Sequence, residues 1–317
     1  MNRGFFHTSK WRKFSFYAAG ATTCGLFLGN YVPHTFGLPY LLHFVQCYEN
    51  GVERAVPSIV QTRLEKALDM LHTELHRKSL RSFTVFGFDL YYAGSTKYRF
   101  GGALGIPVNY GYTSPDDINY SEIRFRNKKI EWNSPSSKLL QQSLVLDETE
   151  QIFGFCKTVL QLKTNYVLLN SIFPSLSFLM VYSVGHYLNL RLNLFARHIS
   201  VRMVMYTILA LFGIGSCTFM KDYNQVSTDV EIDKYLATLG TDLVAAGMRY
   251  YDKQLNKNIA LRQLSGDDSY TALGNENYVL RQKSMPLTAR KLFFEQKWHD
   301  LQKELASSIK TDLITEG

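Results

Sequence analysis

No aspartate or glutamate occurs between Met1 and Tyr48, where the only formal charges are Arg3, Lys10, Arg12 and Lys13. Charged side chains are also missing from Thr164 to Leu190 and from Met203 to Met220. Cysteine is scarce: Cys24, Cys47, Cys156 and Cys217 stand far apart, which excludes paired zinc spacing, a thioredoxin-like couple, a twin-cysteine framework and a copper-transfer pair. Gly101-Gly102-Ala103-Leu104-Gly105-Ile106-Pro107 lacks the Gly-Lys-Ser/Thr ending of a phosphate loop and reads as close backbone packing. There is no Gly-x-Ser-x-Gly elbow and no kinase set. The chain therefore reads as a non-enzyme with no catalytic residues, no metal site and no cofactor. His72 and His76 are the nearest approach to a metal pair, but they lack a third ligand and depart from the zincin spacing, so they read as solvated histidines.

Lys and Arg total 35 against 27 Asp and Glu, a net charge of +8. The excess sits in the N-terminal tail and in Arg191, Arg197 and Arg202, beside apolar runs, so it follows the positive-inside rule and does not mark a nucleic-acid face. Three runs are long enough for a hydrocarbon core of about 30 Å, and the partner they imply is a lipid bilayer. The reading divides the chain into a basic tail (1–13), a transmembrane helix (14–32), a soluble α+β domain (33–163), a second span (164–190), a basic loop (191–202), a third span (203–220) and a helical C-terminal domain (221–317). The expected fold is an α-helical multi-pass membrane protein with a small α+β soluble domain and a helical C-terminal region. Alternatives are a buried soluble hairpin for the second and third runs and a cleaved mitochondrial presequence for the first. The flanking charges put the tail and the basic loop on the matrix or cytosolic side and both larger parts across the membrane.

Within the soluble parts, Val60, Leu64, Leu68, Leu71 and Leu75 form one stripe of a helix expected over 57–78. Phe83 to Tyr92 is strand-like, and a second strand pair is expected around Asn127, with Ile123 and Phe125 before it and Ile130 and Trp132 after it. Asp147 and Glu150 have capping-box spacing before Ile152, Phe153, Cys156 and Val159. Beyond the third span, Ile232, Leu236, Leu239 and Leu243 predict a helix beginning at Ser227 or Thr228 and continuing past Tyr251. Pro286 and Thr288 open a final helix carrying Phe294, Trp298, Leu301 and Leu305. That stripe is a candidate surface for the α+β region or for a partner. Ala21, Gly25 and Gly29 recur every four residues and form a candidate helix-packing face, directed at a partner helix or at the protein's own hairpin. His186, near the end of the second run, is expected in an interhelical hydrogen bond.

Several local patterns occur in order around the hydrophobic hairpin. Before it stand Gly101 with Gly105-Ile106-Pro107, then Trp132-Asn133-Ser134-Pro135. In the C-terminal part stand Gly247 with Tyr251, Lys253, Leu255, Asn258, Ala260-Leu261-Arg262 and Leu264, followed by Gly274-Asn275 and Pro286 with Thr288 and Arg290. Together these patterns resemble the transmembrane protein 177 family. The resemblance implies a non-catalytic auxiliary factor of the mitochondrial inner membrane in complex IV assembly. Its implied partners are cytochrome c oxidase subunit 2 and that subunit's dedicated membrane chaperone. The competing class is a small transporter or channel component, for which the uncharged runs offer no ion pathway.

Overall fold

The computed structural model describes residues 9–72, 79–120, 123–125, 128–129, 131–266, 268–278 and 281–315. Its first apolar run is helix α1 (Ser9–Tyr31), stopped at a short turn that contains Pro33. Helix α2 (Leu38–Val45) follows, then a hairpin of β1 (Tyr48–Glu49) and β2 (Val52–Glu53). Its turn residues Asn50 and Gly51 have φ of +52° and +79°, the left-handed pair that Asn-Gly adopts at low cost. Helix α3 (Ser58–Met70) buries Val60, Leu64 and Leu68 as expected, but it ends eight residues early. His72 lies past its end at a φ of +48°, the left-handed backbone that terminates helices. His72 is thus off the helix that was expected to carry it, while Leu75 and His76 lie outside the described residues.

Strands β3 (Leu80–Val85), β4 (Tyr91–Gly94) and β5 (Gly102–Pro107) form one sheet with β5 in the middle, parallel to β3 and antiparallel to β4. All six residues of β5 are buried, because both faces are covered. Ala103 faces α2 with Phe83, Val85, Leu38 and Leu42, while Leu104 and Ile106 enter the main core. Gly101, at a φ of +77°, and Gly105 serve close packing: a Cβ on Gly105 would collide with Val85 and sit 2.9 Å from Tyr91 Cβ. Gly105→Ala is expected to lower stability by about 1 to 3 kcal/mol through overpacking, seen as a lower Tm of the detergent-purified chain. An unchanged Tm would mean that the three strands are not this tightly paired.

Strands β6 (Arg124–Phe125) and β7 (Lys128–Lys129) pair where the second strand pair was expected; Ile130 lies outside the described residues. Helix α4 (Pro135–Leu144) and helix α5 (Glu148–Leu162) follow. The α5 capping box is formed: Asp147 accepts from the Glu150 N–H at 2.7 Å and Glu150 accepts from the Asp147 N–H at 2.8 Å. Glu150 is buried and bound by Lys253 at 2.6 Å, so the cap also ties the two halves of the chain together.

The second and third runs form α6 (Tyr166–Arg191) and α7 (Ile199–Leu236). The helix expected to open at Ser227 or Thr228 does not start there, because α7 runs unbroken through both residues. No glycine or proline stands between Ser216 and Leu239, so α7 meets no breaker before it closes at Leu236; Gly240, at a φ of +142°, then separates it from the next helix, and the expected helix does not continue unbroken past Tyr251. Helices α8 (Thr241–Ser265) and α9 (Leu287–Thr315) complete the chain, α9 opening directly after Pro286. A single core takes Leu64 from α3, Leu104 from β5, Phe153 from α5, Leu236 from α7, Tyr251 from α8 and Phe294 from α9. The C-terminal helices therefore pack on the α+β region, one of the two outcomes that the sequence allowed.

Candidate functional site: a groove across three helices and a polar cavity beneath it

Two described helices, α6 and α7, are long and apolar enough to cross a membrane. Only 22% of the apolar stretch of α6 and 6% of that of α7 is buried, so neither behaves as the core helix of a soluble protein. Helix α1 has sufficient length, but Ser, Thr, Gly and Asn residues dilute its apolar run and it is not one of these two. It packs antiparallel along α6, with the Ser175 hydroxyl donating to the Thr23 carbonyl at 3.1 Å and Ser15 meeting Tyr182 at 3.3 Å. Helix α7 packs on another side of α6: the Ser177 hydroxyl donates to the Gly213 carbonyl at 2.8 Å, and Asn189 donates to the Tyr206 hydroxyl at 2.6 Å. Asn189 thus makes the interhelical bond expected of His186, which is exposed and stacked on Tyr182.

The consequence is a groove along α6 with α1 and α7 as its walls. Its outer part, 490 Å³, lies between Ser15 and Arg202, and its inner part, 370 Å³, lies between Leu26 and Ile214. Both parts share Phe178 and Val181 as floor, so the groove is continuous. From Pro174 to Leu190 it extends about 24 Å at the helical rise per residue, most of a hydrocarbon core. Gly185 lets the helices approach, and Pro174 forms part of the inner floor.

The sequence-predicted faces lie elsewhere. Ala21, Gly25 and Gly29 are exposed on α1, turned from α6, and no neighbour lies within 4 Å of a Cβ built on either glycine. The face of α1 that meets α6 carries Ser15, Ala19 and Thr23 instead. In the C-terminal stripe Phe294 is fully buried against Phe153 and Tyr251, with Trp298 and Leu301 packed on the same core; Leu305 is 62% exposed. Phe294 therefore holds the fold, while Trp298 and Leu301 pack on the core and remain partly exposed.

A second feature was not read from the sequence. Asp229 and Asp233 of α7 lie on the apolar stripe with Ile232 and Leu236, and Arg290 of α9 meets them inside the protein. Arg290 Nε and Nη2 donate to the two Asp233 oxygens at 2.6 and 2.7 Å, and its Nη1 is 3.1 Å from Asp229 Oδ1. The Tyr251 hydroxyl donates to Asp233 at 2.8 Å and the Met285 N–H to Asp229 at 3.0 Å. Burial opposes the Arg290 charge, but Tyr251, Asp233 and Asp229 outweigh it and push its pKa up. The signal available in the sequence was the spacing of Asp229, Ile232, Asp233 and Leu236, which places two acids on a buried face that needs a cation.

Beside this network lies a polar cavity of 460 Å³ reached by Lys157, Gln225, Gln254, Arg281 and Arg290. Half-buried Lys157 rests its ammonium 5.9 and 5.6 Å from the ring centres of Tyr250 and Tyr251. Its pKa is lowered to about 8, first by burial and then by Arg290, against the opposing pull of Asp229, Asp233 and Asp89. Among the described residues no group of three or more His, Cys, Asp or Glu side chains is placed to hold a metal ion.

Comparison with known proteins gives one consistent set of relatives. The chain is 24% identical to "Transmembrane protein 177" of Homo sapiens over 273 residues, covering 84% of this chain and 87% of that one. It is 26% identical to the protein of that name in Mus musculus over 223 residues (69% and 71%) and 30% identical to that in Danio rerio over 203 residues (61% and 64%). No family model and no solved structure matches the chain.

Proposed function

The chain belongs to the transmembrane protein 177 family, and from that membership we propose a non-catalytic auxiliary factor of the mitochondrial inner membrane that holds a transmembrane segment of a newly made subunit during complex IV assembly. The proposed client is cytochrome c oxidase subunit 2, engaged together with its dedicated membrane chaperone. The observation that carries this reading is the groove over α6. It has apolar walls on two sides and a floor relieved by Gly185, and no described residue of the protein's own chain fills it. Helices in lipid associate through close packing and interhelical hydrogen bonds, because lipid tails are as apolar as leucine. A groove that already presents three packed helices gives an incoming segment more contact than bare lipid does.

In this reading α1, α6 and α7 all span the membrane, and the Arg191, Arg197 and Arg202 link faces the matrix. The α+β region and the C-terminal helices then share the intermembrane-space side, consistent with their common core. Binding an assembly intermediate in preference to the finished complex stabilises that intermediate by mass action. Two measurements test the proposal. Affinity purification of a tagged chain from detergent-solubilised mitochondria is expected to recover subunit 2 intermediates; recovery of unrelated complexes alone contradicts it. A C-terminal tag is expected to resist protease in intact mitochondria and to be lost once the outer membrane is ruptured. Survival of the tag after rupture would put α9 in the matrix and reverse the orientation.

A further inference from the structure

The polar cavity beside Arg290 does not end at the soluble core. It meets a second cavity, of 260 Å³, at Gln225 and Arg281. That second cavity lies where the apolar helices begin or end: Asn30 closes α1, Tyr166 and Asn170 open α6, and Lys221 directly follows the uncharged stretch of α7. One cleft therefore leads from the bilayer edge to Lys157.

The charges along this cleft are only partly cancelled by the protein. Arg281 is bound to Asp222 at 3.0 and 2.7 Å, Arg290 to Asp229 and Asp233, and Lys257 to Asp89. Lys157, Lys221 and Lys283 have no carboxylate within 4.0 Å among the described residues; the acid without a cation in the lining is Glu276, which accepts from the Tyr278 hydroxyl. A lysine carries three donors and no acceptor, and Lys157 has no hydrogen-bond acceptor among the described residues, only two tyrosine faces. The arginine forks are consumed by carboxylates, and what remains is a set of compact ammonium charges. Such point charges suit tetrahedral phosphate oxygens.

We propose that this cleft binds a phosphate group, entering from the bilayer edge and held at its inner end by the Lys157 ammonium. A phosphate group arrives either on the headgroup of an anionic lipid or on a soluble molecule. The lipid source rests on the proposed membrane placement of α6 and α7, whereas the soluble source does not. The groups facing Lys157 are Asp229 and Asp233 of α7, Arg290 of α9, Asp89 of the β3–β4 connection and the two tyrosines of α8. Burial first, and then Arg290, outweigh the opposing pull of the three aspartates and leave its proton weakly held in the unliganded protein, so phosphate binding weakens as pH rises through about 8.

The test uses the full chain purified in an uncharged detergent, with Tm read on adding phosphatidylglycerol, phosphatidylcholine or inorganic phosphate. A ligand at a hundredfold excess over its dissociation constant is expected to raise Tm by at least about 4 °C. Phosphatidylglycerol alone raising it identifies the lipid source; inorganic phosphate raising it equally identifies a soluble one. In Lys157→Met, which replaces a half-buried charge with an apolar chain of similar length, unliganded Tm is expected to match or exceed wild type and the ligand shift to vanish. A second readout is the ¹³C resonance of reductively methylated Lys157, whose titration is expected to move upward from about 8 with ligand present. No Tm shift from any phosphate, or an equal shift in wild type and Lys157→Met, overturns the proposal.

Discussion

Arg290→Leu is expected to destabilise the soluble half by about 3 to 5 kcal/mol, one of the largest losses available to a single substitution in this chain. The reason is the asymmetry of a buried ion pair. Arg290, Asp229 and Asp233 are each nearly inaccessible to solvent, and removing the arginine leaves two carboxylates in the core with one tyrosine hydroxyl and a few amide N–H groups. The intact triad is no more favourable than a well-packed apolar replacement; the cost arises from what is left behind. The triple replacement of Arg290, Asp229 and Asp233 by apolar residues is therefore expected to recover most of the loss. Thermal or denaturant unfolding of the purified chain checks both statements. A small effect of Arg290→Leu, comparable to an exposed substitution, would show that the triad is not buried in the folded protein.

Ala210→Trp is expected to reduce co-purification of the partner at least tenfold, about 1.4 kcal/mol of binding, while leaving the chain in the membrane and its Tm unchanged. Ala210 lines the inner part of the groove on the α7 wall and is exposed there, so an indole at this position projects into the space proposed for the partner helix. Phe212→Trp is the matched control, because Phe212 is 61% exposed and does not line the groove. Loss of partner in both variants would point to a general effect on insertion. Loss in neither would remove the groove from the account.

What could be read directly from the sequence was local. The α5 capping box depends on residues three apart, and Asp147 and Glu150 formed it. The extents of α6 and α7 within the apolar runs follow from uncharged lengths, and the pairing of β6 with β7 from the apolar residues expected on either side of Asn127. Gly105 was readable as a close-approach glycine, although its neighbours Val85 and Tyr91 were not.

The failures share a different cause. Whether a helix continues depends on the absence of breakers as much as on the presence of a capping residue. Ser227 and Thr228 resembled a start, yet α7 simply ran on to Leu236. The directions of amphipathic faces were decided by contacts far away in sequence. The small residues of α1 offered a face to α6, but hydrogen bonds from Ser175 and Tyr182 settled on Thr23 and Ser15 instead, leaving Gly25 and Gly29 outward. Phe294 and Trp298 formed a stripe that fitted either a partner or the protein itself, and Phe153 and Tyr251 took Phe294 into the core. The Arg290 cluster joins residues on separate helices, and only the acids' place on an apolar stripe foretold it.

Site-specific photocrosslinking in isolated mitochondria distinguishes the groove from the outward face of α1, with the photoreactive residue placed at Phe178 on the groove floor or at Gly25 on that outward face. A crosslink is expected from Phe178 to a transmembrane segment of newly made cytochrome c oxidase subunit 2, lost when Ala210→Trp fills the groove and weak or absent from Gly25. A partner crosslink from Gly25 with none from Phe178 would contradict it and move partner recognition to the small-residue face.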